Sequence, residues 1–374
     1  MKTFLFAALF FLVTSPAGLS AKVTEVVVFG DSLSDNGNVN ALSFGIVPSD
    51  DYFGSRVFSN GAPWVRFLAL GLGVANPDNS RSGTAIATNY AYGGAKSGGG
   101  GSSFESVIVK NIAQQIDEFV GDGRKLTEGS LVVLWIGGND LNGTSSSGAK
   151  AQISTTIENV ESHLNEIIEL GARQILVPSV PLLGEVPQHN GNPAEREQQN
   201  TLTSDYNSAL AALQVSLSAA HPAVRIVSFD VAGIVSQLLN DPAEYGFKNV
   251  TDQAYTPGFL GGSLGSSTVP NPNEYAFWDD LHPTGPVHRL LGELAAATVK
   301  QLPLPESVDV TLNEGTITVS FGTEAWASYA VAKSTDLKNW TTIATDLQGT
   351  GAIIEVPDSG TGQSDQAYYR VEVK

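Results

Sequence analysis

A serine, a histidine and an aspartate stand in this chain where they could carry out nucleophilic acyl transfer. Ser32 follows a short apolar run, residues 26–29, and lies in Phe29-Gly30-Asp31-Ser32-Leu33-Ser34-Asp35-Asn36-Gly37-Asn38. A serine placed where a buried strand breaks into a Gly/Asp turn has its hydroxyl at the sheet edge, open to substrate. Such a hydroxyl attacks an ester only with a base to take its proton, a group to orient that base and donors for the oxyanion. The segment Phe277-Trp278-Asp279-Asp280-Leu281-His282-Pro283 offers the first two. Asp279 lies three residues before His282. On one loop, that spacing lets the carboxylate accept from imidazole Nδ1 and leaves Nε2 for the serine. The residues three before the other histidines, His163, His189, His221 and His288, are Val160, Val186, Ser218 and Gly285, so only His282 has an acid there. Glu185 with His189 is a competing acid–base pair near the same sheet edge.

Two segments could supply oxyanion donors. Ile136-Gly137-Gly138-Asn139-Asp140 follows an apolar run, so the Asn139 amide should emerge at the sheet edge. Asn89-Tyr90-Ala91-Tyr92-Gly93-Gly94-Ala95 offers glycines whose N–H groups can approach a substrate closely. Gly93 and Gly94 are both open as the donor. Each segment alone reads as ordinary turn chemistry; their joint occurrence in this order carries the weight. Asp35 and Asn38 read as residues that shape the loop after Ser32 rather than react.

Other motifs fail on context. Gly261-Gly262-Ser263-Leu264-Gly265 matches a nucleophile-elbow string, but Thr256-Pro257-Gly258 precedes it where a strand is required. Gly94-Ala95-Lys96-Ser97 lacks the glycine before lysine that a phosphate-binding loop needs. The histidines do not cluster, so no metal site and no cofactor is expected. The chain has no cysteine, which excludes thiol nucleophiles and thiolate–metal chemistry.

Apolar runs and helical patterns alternate from about residue 23 to residue 301. Strands are expected at residues 26–29, 131–136, 174–179 and 224–229, nearly continuous in apolar character, as strands buried on both faces of a parallel sheet are. Helices are expected at 155–170, ending at Gly171, at 195–220, and at 286–300, with Thr284 as its N-cap. This alternation predicts a three-layer α/β domain whose site gathers at the carboxyl ends of the strands. Beyond Leu302-Pro303-Leu304-Pro305 the period changes to two. Six short strands, the first two flanking Asn313-Glu314-Gly315, predict a small all-β sandwich. At roughly 70 residues it is too short for a multi-stranded outer-membrane barrel of ~10-residue strands.

The N-terminus, with Lys2, an apolar block at 4–13 and small residues up to Ala21, reads as an export signal peptide. The domain expectation is therefore a leader at 1–21, a catalytic domain at 22–301, a linker at 302–307 and a β domain at 308–374. Hydrophobic residues make up 42% of the 374, enough for a full core. The formal net charge of −18 disfavours nucleic acid and anionic lipid surfaces as electrostatic partners. The tryptophans read mostly as core or pocket residues, with Trp278 a possible wall of the acyl site.

Four segments together resemble the sequence blocks of the GDSL/SGNH hydrolases, a family of serine esterases and lipases. They are Gly-Asp-Ser-Leu at Ser32, Gly-Gly-Ala at Gly94, Gly-Gly-Asn-Asp at Asn139, and Asp-x-x-His-Pro at Asp279 and His282. Phe58-Ser59-Asn60-Gly61 with Trp64, and Val180-Pro181-Leu182-Leu183-Gly184, resemble smaller family segments. The resemblance spans about residues 24–301 and stops short of the β domain. It implies a three-layer α/β/α fold and a catalytic set of Ser32, His282 and Asp279. It also implies an oxyanion hole of the Ser32 and Gly94 N–H groups with the Asn139 side chain, Gly94 being preferred to Gly93 on this ground. The Gly-Asp-Ser-Leu-Ser-Asp-x-Gly-Asn form at residues 30–38 resembles most the lipase/lysophospholipase branch of the family, which points to a secreted or periplasmic serine ester hydrolase acting on lipid or simple acyl esters. A carbohydrate acetylesterase is the alternative within the same fold. A catalytically silent binding protein is the alternative from another class. The β domain could contact polysaccharide or a cell surface through Trp326, Tyr329 or Trp340.

Overall fold

The computed structural model describes residues 22–48, 56–99, 105–258, 265–300, 308–313, 316–323, 327–335, 339–358 and 367–373. The leader, the linker, Trp326 and residues 261–264 of the elbow-like string lie outside them. The chain divides into two compact units, one of residues 23–217 with 226–300, the other containing residues 301–374.

In the first unit, six strands form one sheet: β1 (Glu25–Gly30), β2 (Asp78–Asn79), β3 (Ala87–Asn89), β4 (Ser130–Trp135), β5 (Gln174–Pro178) and β6 (Arg225–Phe229), in the order β2-β3-β1-β4-β5-β6. The β2–β3, β3–β1, β1–β4 and β4–β5 pairings are parallel. The chain leaves β1 toward β3 and leaves β4 toward β5. The crevice where the strand order reverses therefore opens at the carboxyl ends of β1 and β4. Ser32 follows β1 and Asn139 follows β4, which places both at that crevice.

The apolar runs are continuous because both sheet faces are covered. Val26 and Val28 of β1, with Leu131, Val133 and Trp135 of β4, pack against helices Trp64–Leu72 and Gly285–Lys300. Phe29 stacks on Tyr90 and meets Phe119 of helix Ile112–Gly121 edge-on. The expected strands and helices are present with ends shifted by a few residues, the largest shift being helix Ala149–Glu169. It closes as expected at Gly171, whose φ of 107° lets its own N–H and that of Ala172 return to Ile168 and Ile167. Thr284 departs from expectation. Its hydroxyl donates to the Tyr275 carbonyl at 2.7 Å, so the side chain ties a loop to a strand instead of capping the helix. The strands β2 and β3 are too short to show a periodic pattern. Among the described residues no helix is long and apolar enough to cross a membrane.

The second unit holds two three-stranded antiparallel sheets. One joins Val308–Asn313, Thr316–Gly322 and Ile353–Asp358; the other joins Thr341–Gln348, Ser328–Ser334 and Tyr368–Val373. Strand Thr316–Gly322 alternates between half-buried and buried residues, as a period of two requires. Ile317, Val319 and Phe321 meet Tyr329, Val331 and Tyr369 from the other sheet in one core. Tyr329 is 1% exposed and packs on Phe321, so it belongs to this core and not to a sugar-binding surface. The Arg370 guanidinium lies over the Trp340 ring, 4.4 Å from its centroid, and covers one of its two faces.

Candidate active site

The loop after β1, the loop after β4 and the turn before helix Gly285–Lys300 bring Ser32, Asn139, Asp279 and His282 together. Ser32 Oγ lies 2.8 Å from His282 Nε2. On the other side of the ring, His282 Nδ1 is 2.8 Å from Asp279 Oδ2 and 3.0 Å from Oδ1. A hydroxyl that donates to an imidazole whose far N–H is held by a carboxylate can be deprotonated as it attacks. Ring tautomer follows from this arrangement: the carboxylate accepts only, so Nδ1 carries the hydrogen and Nε2 is the acceptor.

The histidine turn is largely self-contained. Asp279 Oδ1 accepts the Leu281 N–H at 2.9 Å and the His282 N–H at 2.6 Å, an Asx-type turn. Trp278 N–H donates to the His282 carbonyl at 2.7 Å, and Thr284 N–H to Ala276 at 2.9 Å. Two residues of Phe58-Ser59-Asn60-Gly61 clamp the turn from outside. Ser59 Oγ donates to the Pro283 carbonyl at 2.8 Å, and Asn60 Oδ1 accepts the Gly285 N–H at 2.8 Å. The Phe58 ring lies against the imidazole at 5.4 Å between centroids and also sits on Gly93, where any side chain would displace it. Trp278 stacks on Tyr255 at 4.9 Å and packs there; it does not wall the pocket beside Ser32.

The serine loop is held by buried polar groups from distant segments. Gln115, fully buried, accepts the Gly30 N–H at 2.9 Å and donates to the Gly30 carbonyl at 2.8 Å. Asp35 accepts the N–H groups of Gly37, Asn38 and Val39, and that of Gly93 at 2.9 Å. Asn38 donates to the Asn89 and Ala91 carbonyls, and Asn89 donates back to the Ser34 carbonyl. Asp35 and Asn38 thus clip the glycine segment beside Ser32 and touch no reacting atom.

That arrangement bears on the oxyanion donors. The Gly93 N–H is engaged by Asp35, whereas Gly94, at φ 79°, follows it in a conformation that favours glycine. Asn139 Nδ2 donates to the Ala95 carbonyl at 3.0 Å, which uses one of its two amide hydrogens and orients the other. Ser97 N–H and Oγ donate to Asp140, and His163 Nε2 lies 2.8 Å from the Ser97 carbonyl, so the two loops are joined on that side as well. Gly137, at φ 119°, passes the buried Tyr206 hydroxyl too closely for any side chain.

Charge within the site is tuned by burial and pairing. Burial by itself would depress the His282 pKa, but the Asp279 carboxylate outweighs it, with Asp31 and Asp280 adding, so the value lies above the usual imidazole range. Burial would raise Asp279, yet His282 and the two N–H donors hold it below the usual carboxylate range. Asp31, beside the nucleophile, is pushed up to about 7 by burial. His288 is pushed down to about 3 by burial and accepts the Trp64 N–H in the core.

An apolar pocket adjoins Ser32 and His282. Seventeen of its 23 lining residues are apolar, among them Leu33, Val180, Leu183, Val235, Leu238 and Leu291. Glu185 and His189 do not form an acid–base pair: Glu185 binds Arg196 at 2.6 Å, and His189 Nδ1 lies 2.7 Å from Glu195. Among the described residues no group of histidines and carboxylates could hold a metal ion.

The sequence reading missed Gln115, Asp31 and Phe58. Gln115 could have been found, because it occupies a core position in the apolar series Ile112, Ile116 and Phe119 of its helix.

A family model described as GDSL-like Lipase/Acylhydrolase matches residues 26–295. A GDSL esterase/lipase of Arabidopsis thaliana is 26% identical over 304 residues, covering 69% of this chain and 84% of its own. The phosphatidylcholine-sterol acyltransferase of Aeromonas hydrophila is 24% identical over 325 residues, covering 74% and 90%. Among solved structures, the acetylxylan esterase Axe2 from Geobacillus stearothermophilus aligns with a TM-score of 0.40 and 12% identity, over 75% of this chain and 97% of its own.

Proposed function

The chain belongs to the GDSL-like lipase/acylhydrolase family and is a carboxylic ester hydrolase, and on that premise we propose that Ser32, His282 and Asp279 are its catalytic triad and that its substrates are esters of short to medium acyl chains. Ser32 Oγ attacks the ester carbonyl while its proton passes to His282 Nε2. Asp279 holds the imidazole in its tautomer and stabilises the imidazolium that forms. The oxyanion is received by the Ser32 and Gly94 N–H groups and the second amide hydrogen of Asn139. His282 then protonates the leaving alcohol. Water, deprotonated by His282, releases the acid from acyl-Ser32 and restores the serine. The engagement of the Gly93 N–H by Asp35 supports Gly94 as the donor.

The acyl reading is carried by the apolar pocket beside Ser32. Its volume is about 70 Å³. One water-sized atom occupies on the order of 12 Å³, so the space takes more than an acetyl group. An acetyl group would leave most of it empty, and each buried CH₂ stabilises binding by about 0.8 kcal/mol. The test is hydrolysis of a p-nitrophenyl ester series from acetate to palmitate by the protein and its Ser32→Ala variant. The expected result is an optimum at an acyl chain longer than acetate and a loss of about 1,000-fold or more in the variant. Best activity on acetate would replace this reading with an acetylesterase; activity retained by Ser32→Ala would remove the triad.

We also propose export, on the strength of the charged and apolar leader pattern at residues 1–21. N-terminal sequencing of the protein from its native host should begin near Lys22; an N-terminus at Met1 would overturn this.

A further inference from the structure

We propose that Phe58 is a positioning residue for the reaction: its aromatic ring, set against a face of the His282 imidazole, stabilises the imidazolium that forms each time His282 takes a proton. This rests on the triad reading above and adds a partner for the base that no hydrogen bond supplies. The two ring centroids are 5.4 Å apart and the planes are inclined by 34°. A cation within about 6 Å of an aromatic centroid is attracted by the negative face of the ring.

The role follows from what the imidazole has left to offer. Its two nitrogens bond in the ring plane, and both are engaged, Nδ1 by Asp279 and Nε2 by Ser32. The faces remain, and an aromatic ring meets a face without competing for either hydrogen bond. Phe58 is also fixed on both sides. Its ring lies so close to Gly93 that a Cβ there would fall 2.2 Å from a ring carbon. The next two residues bind the histidine turn, Ser59 Oγ donating to the Pro283 carbonyl and Asn60 Oδ1 accepting the Gly285 N–H. Gly61 then passes Gly285 with no room for a side chain, since a Cβ on it would fall 2.7 Å from the Gly285 Cα. The ring is thus in place before the charge appears, and no reorganisation is needed when it does.

The timing of the charge makes the contact a kinetic one. His282 is neutral when substrate binds and cationic in the tetrahedral intermediates of acylation and deacylation. The attraction between ring face and cation therefore strengthens only as the barrier is climbed, which raises kcat and leaves substrate affinity unchanged. The charged groups around the imidazole are Asp279 and Asp280 on its own turn and Asp31 on the serine loop. His288, on the helix that follows, is held neutral in the core and adds no opposing charge. A change of ring electronics at position 58 alters none of these groups, so its effect on His282 reports the ring itself.

The experiment places phenylalanine analogues bearing one, two and three ring fluorines at position 58 of the full chain. Fluorine withdraws charge from the ring face while size and shape change little. On the best-cleaved p-nitrophenyl ester, kcat should fall stepwise with fluorine number, by roughly 3- to 30-fold across the series, with KM within about twofold of the parent. The acid limb of kcat/KM should move to lower pH in the same order, because an imidazolium that loses a partner gives up its proton more readily. Phe58→Leu should show the full loss, and Phe58→Tyr, which keeps the ring face, should stay close to the parent rate. The fluorinated proteins keep the packing that Phe58→Leu disturbs, so they decide the question. A kcat that is flat across the fluorinated series, or a loss that falls on KM instead, overturns the role of Phe58 while the triad stands. Activity retained by Ser32→Ala overturns the triad, and this role with it.

Discussion

Two aspartates hold the two catalytic turns, and they do so over very different distances along the chain. Asp279 engages partners two and three residues away: the Leu281 and His282 N–H groups and the His282 ring. Asp35 also gathers local donors, at Gly37, Asn38 and Val39, but its other bond reaches across 58 residues to Gly93. The histidine turn therefore takes its shape largely from its own residues, with Ser59 and Asn60 clamping it from outside, while the serine turn forms only when the sheet has brought the glycine segment alongside. The first device sets the protonation chemistry of the base. The second sets the geometry of the oxyanion donors.

The comparison can be broken at either end. Asp279→Asn should have the largest effect, a fall in kcat of about 1,000- to 10,000-fold, since an amide can donate to Nδ1 and favour the wrong tautomer. Thermal stability should change much less than in the variant below. A kcat within tenfold of the parent would show that His282 needs no carboxylate.

Asp35→Ala should act in the opposite proportion. It leaves four buried N–H groups without their acceptor, and each can cost about 1–3 kcal/mol, although water will relieve some. A fall in unfolding free energy of several kcal/mol is expected, together with a kcat loss of roughly 10- to 100-fold, less than for removing a catalytic donor outright plus its neighbours. Urea unfolding and ester kinetics on the same preparation measure both. Unchanged stability would mean that the Gly93 bond does not hold the loop.

Gln115→Ala tests whether a further long-range tie matters at the end of β1. Removing the amide strips both the Gly30 N–H and its carbonyl of buried partners. The expected cost is about 1–3 kcal/mol of stability, with a smaller kinetic effect than Asp35→Ala. Equal stability of parent and variant would sink this assignment.

The pH profile sharpens the electrostatic side. His282 must be neutral to accept the Ser32 proton, and its pKa is raised by Asp279, with Asp31 and Asp280 adding. The acid limb of kcat/KM should therefore fall above the ordinary imidazole value of about 6.5, with activity lost as pH drops through it. Asp31→Asn removes one of the raising charges, so the limb should move to lower pH. A limb that stays in place would show that Asp31 carries no charge while the enzyme works.

The sequence by itself determined the period and order of the elements. Apolar runs buried on both faces identified the parallel strands, and the change to a period of two marked the β unit. It also located Asp279 and His282 as a pair, because a carboxylate three residues before a histidine on a turn needs nothing beyond local geometry. Ser32 and Asn139 were placed by the ends of their strands. Tertiary structure alone decided what lies across those ends. The reversal of strand order sets β1 beside β4, and so Ser32 beside Asn139. The Gly30 partner of Gln115, the His282 partner of Phe58 and the Gly93 partner of Asp35 lie far away in sequence, so even where a residue stands out, as Gln115 does on the apolar face of its helix, the chain does not say what it holds. Glu195 as the partner of His189, and the Thr284 hydroxyl turned to Tyr275, escaped a reading by spacing for the same reason. A buried polar group must find a partner, but the sequence does not say which; only the packed chain, by excluding water, makes one choice much less costly than the others.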